Sequence, residues 1–312
     1  MSVPFRLIGL IAAPHTPFTA SGELNPSVIA DQAALLIESG VAGAFVCGST
    51  GEAHSLTTEE RQRVTEEWVR VVGGRLKLLV HAGHNCRADA VRLASHAARA
   101  GADAVAAVAP SYFKPATVDD LIAFCEPVAA AAAGLPFYLY DIPVMTGVSL
   151  PTAEFLDRAA DRIPNLAGVK YTNGDLVGLQ ECLAVRGGRF DVVFGYDEML
   201  LAGLALGVKG AIGSTYNFAA PLYLRLLRAF ESGDLAAARR AQLTSVGLIR
   251  VMGRFGGLRA GKAIMGLLGV DCGPVRSPMR PMTPAEVSAL HEALRPFDMF
   301  ARPIHSPGVV RV

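Results

Sequence analysis

Lys170 closes the apolar run Leu166-Ala167-Gly168-Val169. If that run is a buried strand, the ammonium stands in an oily setting, and burial without a partner lowers a lysine's pKa. At the ordinary value of about 10.4, only about one lysine in a few thousand is neutral at pH 7; a fall of roughly three pH units, worth about 4 kcal/mol, makes neutral amine abundant. A neutral amine adds to a ketone to form a Schiff base, whose protonated nitrogen accepts electrons when a neighbouring C–C bond breaks. The chemistry on offer is lysine-dependent aldol cleavage. The competing reading is an ammonium that snorkels from a strand end into water.

Other apolar runs end in groups that could complete such a site. Tyr140, followed by Asp141-Ile142-Pro143, offers a phenol that can pass protons during imine formation; it could equally be an aromatic packed at a strand end. Ser49 and Thr50, inside Gly48-Ser49-Thr50-Gly51-Glu52, can present hydroxyls and backbone N–H groups to a small carboxylate, or form an ordinary turn. Asp197-Glu198 and Ser214 suit a chain of sugar hydroxyls, although Asp197 could also cap the apolar helix Met199 to Leu206.

Three further signals fail. Gly256-Gly257-Leu258-Arg259-Ala260-Gly261-Lys262-Ala263 nearly reads as a phosphate loop, but Ala263 replaces the magnesium-holding hydroxyl and no strand precedes it. His81 and His84 lack a third ligand in zinc-signature spacing, so His81 is expected to be a satisfied strand-end histidine. Cys47-Gly48-Ser49-Thr50-Gly51 misses the first glycine of a nucleophile elbow.

These residues must be carried by repeating elements. Apolar runs rich in Val, Ile, Phe and Tyr fall near 7–12, 43–47, 77–82, 104–109, 136–140, 166–170, 191–195 and 210–213. Each is nearly continuous in apolar character, as parallel strands covered on both faces must be. Between them lie helical segments such as Pro26 to Ser39, after Asn25, and Thr58 to Val72, after Thr57. Eight such units predict an α/β fold, a closed (β/α)8 barrel over 1–233, whose reactive groups sit at the C-terminal ends of strands. Helical signals continue over Asp234–Gly253, Leu258–Leu268 and Pro284–Leu294, so 234–312 reads as a C-terminal helical extension and tail. The ending Arg302–Val312 is expected to be mobile or to lie on a surface.

Composition narrows the partner. Of 312 residues, 51% are hydrophobic and 18% charged, enough to bury a large core, and the net charge of +1 supplies no field for nucleic acid or an anionic membrane. A small molecule is the expected partner. The longest uncharged stretch, Leu7 to Gly22, contains Pro14, Pro17 and His15 and cannot span a bilayer. Arg6 with Leu7–Ala13 superficially resembles a signal peptide, but Pro14 follows where a cleavage site would stand, so a buried strand is expected. Cys47, Cys86, Cys125, Cys182 and Cys272 form neither a disulfide framework nor a CxxC motif, which favours a reducing cytoplasm.

Gly48-Ser49-Thr50-Gly51-Glu52, Tyr140 with Pro143 and Thr146-Gly147, and Gly168-Val169-Lys170, in this order, resemble the pyruvate-dependent class I aldolases of the dihydrodipicolinate synthase and N-acetylneuraminate lyase family. The resemblance covers about residues 7 to 296. It implies that Lys170 forms an imine with pyruvate, Tyr140 relays protons, Ser49 and Thr50 bind the pyruvate carboxylate, and Thr50 joins the relay. It implies too that Tyr112, in Pro110-Ser111-Tyr112, enters a neighbouring subunit's site within a homotetramer, and that no metal or other cofactor takes part. Val169-Lys170-Tyr171-Thr172, Gly195-Tyr196-Asp197-Glu198 and Gly213-Ser214-Thr215-Tyr216-Asn217 look like the sialic acid lyase branch, where Thr172, Gly195, Asp197, Glu198 and Ser214 would hold the sugar. Where the synthase branch places a carboxylate-binding arginine, this chain has Met145.

One departure is Asp141, where the family usually has Asn or His; a carboxylate there either tunes substrate choice near the mouth or is a turn residue. The expected reaction is reversible cleavage of N-acetylneuraminate to N-acetylmannosamine, an amino-sugar aldehyde, and pyruvate. The alternatives are the same imine chemistry on another 2-keto-3-deoxy sugar acid or a hydratase-aldolase substrate, a non-catalytic sugar-acid binding protein in which Lys170 is only a counter-ion, and a metal-dependent aldolase.

Overall fold

A computed structural model of the chain describes residues 5–307. Eight strands, β1 (Gly9–Ala12), β2 (Gly43–Val46), β3 (Lys77–His81), β4 (Ala104–Val108), β5 (Phe137–Asp141), β6 (Leu166–Tyr171), β7 (Asp191–Phe194) and β8 (Gly210–Gly213), pair in parallel and in sequence order. Pairing of β1 with β8 closes the barrel. The fold is the predicted (β/α)8 barrel with C-terminal helices.

The helices are α1 (Ile29–Glu38), α2 (Thr58–Val72), α3 (Arg87–Ala100), α4 (Val118–Ala130), α5 (Pro143–Thr146), α6 (Thr152–Ala159), α7 (Leu176–Ala184), α8 (Leu200–Leu206), α9 (Tyr216–Glu231), α10 (Leu235–Arg254), α11 (Leu258–Leu267) and α12 (Pro284–Leu294). Local chemistry sets several starts. Thr57 with Glu60, Thr117 with Asp120 and Thr283 with Glu286 each form a reciprocal capping box, satisfying N–H groups that a helix start leaves free. Asn25, ahead of the first helical segment, makes no side-chain cap: its Oδ1 accepts from Ser27 Oγ at 2.6 Å, and Pro26–Val28 forms a 3-10 turn before α1.

Several strands stop short of their apolar runs at one end, and at two of them the cause is visible. Leu7 is buried, but its N–H donates to Asp191 Oδ2 (2.8 Å) and not to a strand ladder, so β1 begins at Gly9. Cys47 adopts a left-handed φ of 57°, which ends β2 at Val46 and turns the chain into Gly48–Glu52.

Strand alternation divides the apolar side chains into two cores. Phe45, Leu79, Tyr138, Tyr140, Val193 and Ile212 fill the barrel interior. Trp68, Phe155, Phe194 and their neighbours fill the layer between strands and helices, and Leu248, Ile264, Met265, Leu290 and Leu294 join it from α10–α12. Truncating such a buried side chain to alanine typically costs about 2–5 kcal/mol. Beyond α12 the chain stays docked: Ala301 N donates to Phe218 O and His305 N to Leu267 O, both at 2.8 Å, and Ile304 packs on the core. The tail is thus laid on the surface as far as it is described; 308–312 of the predicted mobile ending lie outside the described residues. Among the described residues no helix is long and apolar enough to cross a membrane.

Candidate active site

A cavity of about 580 Å³ opens at the C-terminal ends of the strands, within the size range of small-molecule sites. Lys170 projects into it because its neighbours Val169 and Tyr171 belong to the outer core and strand alternation turns the residue between them inward. Its side chain is 4% exposed, and its Nζ lies 3.9 Å from the Tyr140 ring centre and 4.1 Å from that of Phe45. Burial lowers the amine to about 7, opposed by the Asp197 carboxylate. Lys170 therefore does not snorkel to solvent.

Tyr140 is the direct cross-strand partner of Lys170 in the β5–β6 register. Its ring meets Phe45 and His81 edge-on, with centres 5.3 and 5.7 Å apart. The hydroxyl lies 3.2 Å from Ser49 Oγ. Burial pushes the phenol up to about 12, with the Ser49 and Thr172 hydroxyls pulling the other way. At neutral pH it is protonated and hydrogen-bonded, suited to passing a proton on.

The far wall carries Asp197. Its Oδ2 accepts from Thr215 N (2.9 Å) and Thr215 Oγ1 (2.5 Å), and Thr215 Oγ1 lies 2.7 Å from Tyr223 OH, itself 2.7 Å from Ser245 Oγ. Oδ1 is buried and unpartnered within the described residues. Burial raises the carboxyl to about 6 against the Thr215 hydrogen bonds. The alternative helix-capping role is not what this side chain does: Tyr196 occupies the cap position of the 3-10 turn Asp197–Met199, and the carboxylate is turned toward β8. Two glycines leave room for side chains of this wall. A Cβ at Gly213 would collide with Asp197 Oδ1, and one at Gly195 would collide with Thr172 Oγ1.

Nine of the ten residues singled out in the sequence line this cavity: Ser49, Thr50, Tyr140, Lys170, Thr172, Gly195, Asp197, Glu198 and Ser214. Tyr112 does not; it is 77% exposed and stacks edge-on against Phe113. Asp141 follows Tyr140 and so faces the other way. Its Oδ2 accepts from Thr152 Oγ1 and Asn173 Nδ2, both at 3.1 Å, outside the cavity, so the carboxylate ties the end of β5 to α6 and to the loop after β6 and does not line the mouth. Met145 does line the cavity.

Sequence reasoning passed over several lining groups. His15, Glu52, Met252, Leu258 and Met279 reach the cavity from β1's loop, the Gly48–Glu52 turn and the C-terminal region. Periodicity marks the buried face of a helix but not where that helix lies. His81 is half as expected: Nδ1 pairs with Cys47 O at 2.9 Å, while Nε2 is buried without a partner among the described residues. Burial and the nearby Arg61 guanidinium hold it well below the ordinary histidine range, hence neutral. His84 stands apart from it, grouped with Cys86 and Asp89 at the start of α3. The near-phosphate loop is a turn between α10 and α11, with Gly256 and Gly257 at φ 83° and 55°.

Comparison with known proteins places this arrangement. The sequence pattern of the Dihydrodipicolinate synthetase family matches residues 6–296. N-acetylneuraminate lyase of Mus musculus is 40% identical over 308 residues, covering 97% of this chain and 96% of its own. The solved N-acetylneuraminate lyase of Proteus mirabilis superposes with a TM-score of 0.92 at 43% identity, covering 95% of this chain and 100% of that one. That of Aliivibrio salmonicida, also described as a sialic acid aldolase, gives 0.92 at 42% identity, with 95% and 98% covered.

Proposed function

The chain belongs to the Dihydrodipicolinate synthetase family, and from that membership and its cavity we propose that it is a Schiff-base aldolase cleaving N-acetylneuraminate reversibly to N-acetylmannosamine and pyruvate. The observation that carries the mechanism is a buried lysine lowered to about 7 and set cross-strand from a buried tyrosine.

Ser49 and Thr50 hold the substrate carboxylate, which places the C2 ketone over Lys170. The neutral amine adds to C2, and the carbinolamine hydroxyl takes a proton from the Tyr140 relay and leaves as water, so that the nitrogen is left as a protonated imine; that proton goes back to the relay when the imine is hydrolysed. Tyr140 takes the proton of the C4 hydroxyl while handing its own toward Ser49, and the C3–C4 bond breaks with its electron pair moving onto the imine as an enamine. The departing C4 becomes the aldehyde of N-acetylmannosamine. The proton released from C4 is the one C3 needs, so the relay returns it to C3, and water then hydrolyses the imine to pyruvate and free lysine. No net oxidant or external proton is required, and no metal or organic cofactor enters the scheme.

The sugar lies toward Thr172, Gly195, Asp197, Glu198 and Ser214, where the unpartnered Asp197 Oδ1 accepts from a hydroxyl. Met145 offers no charge to a second substrate carboxylate, which favours a sugar over a carboxylated aldehyde. The exposed Tyr112–Phe113 pair fits an assembly, a homotetramer, in which Tyr112 completes the site of a neighbouring copy. The cysteines of the described residues are all free, in keeping with a cytoplasmic setting.

Two measurements test the reading together. Incubation with N-acetylneuraminate should release pyruvate, read by a coupled assay, and borohydride with pyruvate should leave a stable mass increment on Lys170. Pyruvate release without the adduct would overturn the imine, and an adduct with no cleavage of N-acetylneuraminate would move the substrate to another 2-keto sugar acid.

A further inference from the structure

The turn that presents Ser49 and Thr50 is gripped from outside the barrel. Glu52, two residues beyond Thr50, adopts a left-handed backbone (φ 54°, ψ 35°), a conformation that a residue with a Cβ enters only when its surroundings impose it. What imposes it comes from the C-terminal region. Glu52 Oε1 lies 2.8 Å from Lys262 Nζ of α11, with the two side chains 0% and 2% exposed. Glu52 Oε2 accepts from Arg276 N at 2.9 Å. Lys262 also donates to Pro274 O at 2.7 Å and rests over the Phe18 ring. The Arg276 guanidinium donates to Ser55 O (2.9 Å), just past the turn, and to both oxygens of Glu60. One charged cluster thus fastens the turn at Glu52 and again at Ser55.

The neighbouring His15 does not share this task. Its ring is buried beside Thr50 with both nitrogens unpartnered among the described residues, and burial together with Lys262 lowers it to about 3, so it is neutral. Lys262 is the charge that counters Glu52.

The structure assigns to the Lys262–Glu52 pair a positioning role: it fixes the strained turn whose Ser49 and Thr50 receive the substrate carboxylate. Lys262 touches no reacting atom. It acts through Glu52, so its loss should weaken capture of the keto acid more than the chemistry that follows. This inference rests on the proposed function only in taking Ser49 and Thr50 as the carboxylate grip.

The test compares wild type, Lys262→Met and the double variant Glu52→Gln/Lys262→Met. The single variant strands a buried carboxylate and could fail to fold. The double variant removes both charges while the amide oxygen that replaces the carboxylate can still accept from Arg276 N, and it keeps the experiment decisive. Two readouts are taken on the full-length protein: the pyruvate concentration that half-saturates borohydride trapping, and amide hydrogen exchange across residues 48–56. The expected result for the double variant is half-saturation raised about tenfold, the scale of a small misplacement of binding groups. The limiting trapping rate should stay within about twofold and faster exchange should be confined to 48–56. Unchanged half-saturation and unchanged exchange in a folded double variant would overturn the role, as would a lower limiting rate at unchanged half-saturation. If wild type fails to trap pyruvate, the proposed function falls, and exchange alone still decides whether the pair holds the turn.

Discussion

The two ends of the barrel use the same residue types and treat them differently. At the N-terminal end, Asp191 opens β7 and accepts from Leu7 N and Tyr138 OH, both at 2.8 Å. At the C-terminal end, Asp197 follows β7 with one oxygen satisfied by Thr215 and the other left free among the described residues. Tyr138 and Tyr140 stand two residues apart on β5, both facing inward; the first donates to a carboxylate, whereas the second points at a loop hydroxyl beside an amine that makes no ion pair among the described residues. Burial raises both aspartates and both tyrosines above their ordinary values. The lesson lies in the hydrogen bonds: groups whose capacity is used up internally seal a barrel, and groups with capacity left over can bind.

Lys170→Met should break the upper end most completely. Turnover of N-acetylneuraminate should fall by about four orders of magnitude or more, as expected when the covalent route is lost, and the borohydride adduct should vanish. Lys170→Arg should behave alike, since an always-charged guanidinium cannot condense with a ketone; retained turnover in either variant would refute the imine.

The two aspartates then separate the ends. Asp197→Ala should lower kcat/KM for N-acetylneuraminate by about a hundredfold, the loss of a buried charged acceptor for a substrate hydroxyl, while pyruvate trapping on Lys170 stays within about twofold. Asp191→Ala should do the reverse. It strands two buried donors and should cost about 2–4 kcal/mol of stability by denaturant titration, with kcat/KM of the folded protein nearly unchanged. If Asp191→Ala lost activity in proportion to Asp197→Ala, the division of labour between the ends would be wrong.

The pH profile sharpens the same contrast with a smaller effect. With the amine at about 7, the trapping rate at subsaturating pyruvate, which reports the free protein, should fall about tenfold for each pH unit below that value, as the neutral fraction does, and level off above it. A profile that kept rising to about pH 10 would place Lys170 at its ordinary value.

Much of this was legible in the sequence because the barrel's inner and outer cores make its strands continuously apolar, so any polar residue ending such a run is conspicuous. Lys170 and Tyr140 stand out in that way. So does the orientation of Asp141, in principle: neighbours on a strand face opposite sides, and an inward Tyr140 sends Asp141 outward. What could not be read are pairings made by the closure of distant segments. Glu52 and Lys262 look like unrelated charges until α11 folds back beneath the Gly48–Glu52 turn, and Asp197 passes for a helix cap until β8 brings Thr215 beside it. Arg61 is similar: read along α2 it is an exposed-helix charge, yet it is buried, donating to His81 O and to Gly83 O.

The unpaired amine should also leave a mark on stability. Lys170 has a folded pKa of about 7, below the 10.5 it has when unfolded, so the unfolded chain holds more protons between those values. Below about pH 7 both states are protonated and the burial of the charge weighs fully against folding, by at most about 4–5 kcal/mol. As pH rises toward 10.5 the folded state sheds its proton first, and that penalty fades. Lys170→Met lacks the group, so its stability advantage over wild type should be largest below about pH 7 and should shrink steadily from there to about pH 10. Taking the difference between the two proteins at each pH cancels the titration of groups they share, and Asp197, the group coupled to Lys170, titrates at about 6, below that window. The lower end of the barrel supplies the control: Asp191→Ala leaves every lysine in place, so its gap from wild type carries no amine titration across the same interval. A gap for Lys170→Met that stays level would mean that the amine is compensated in the folded protein, and the contrast between a sealed end and an open one would lose its chemical basis.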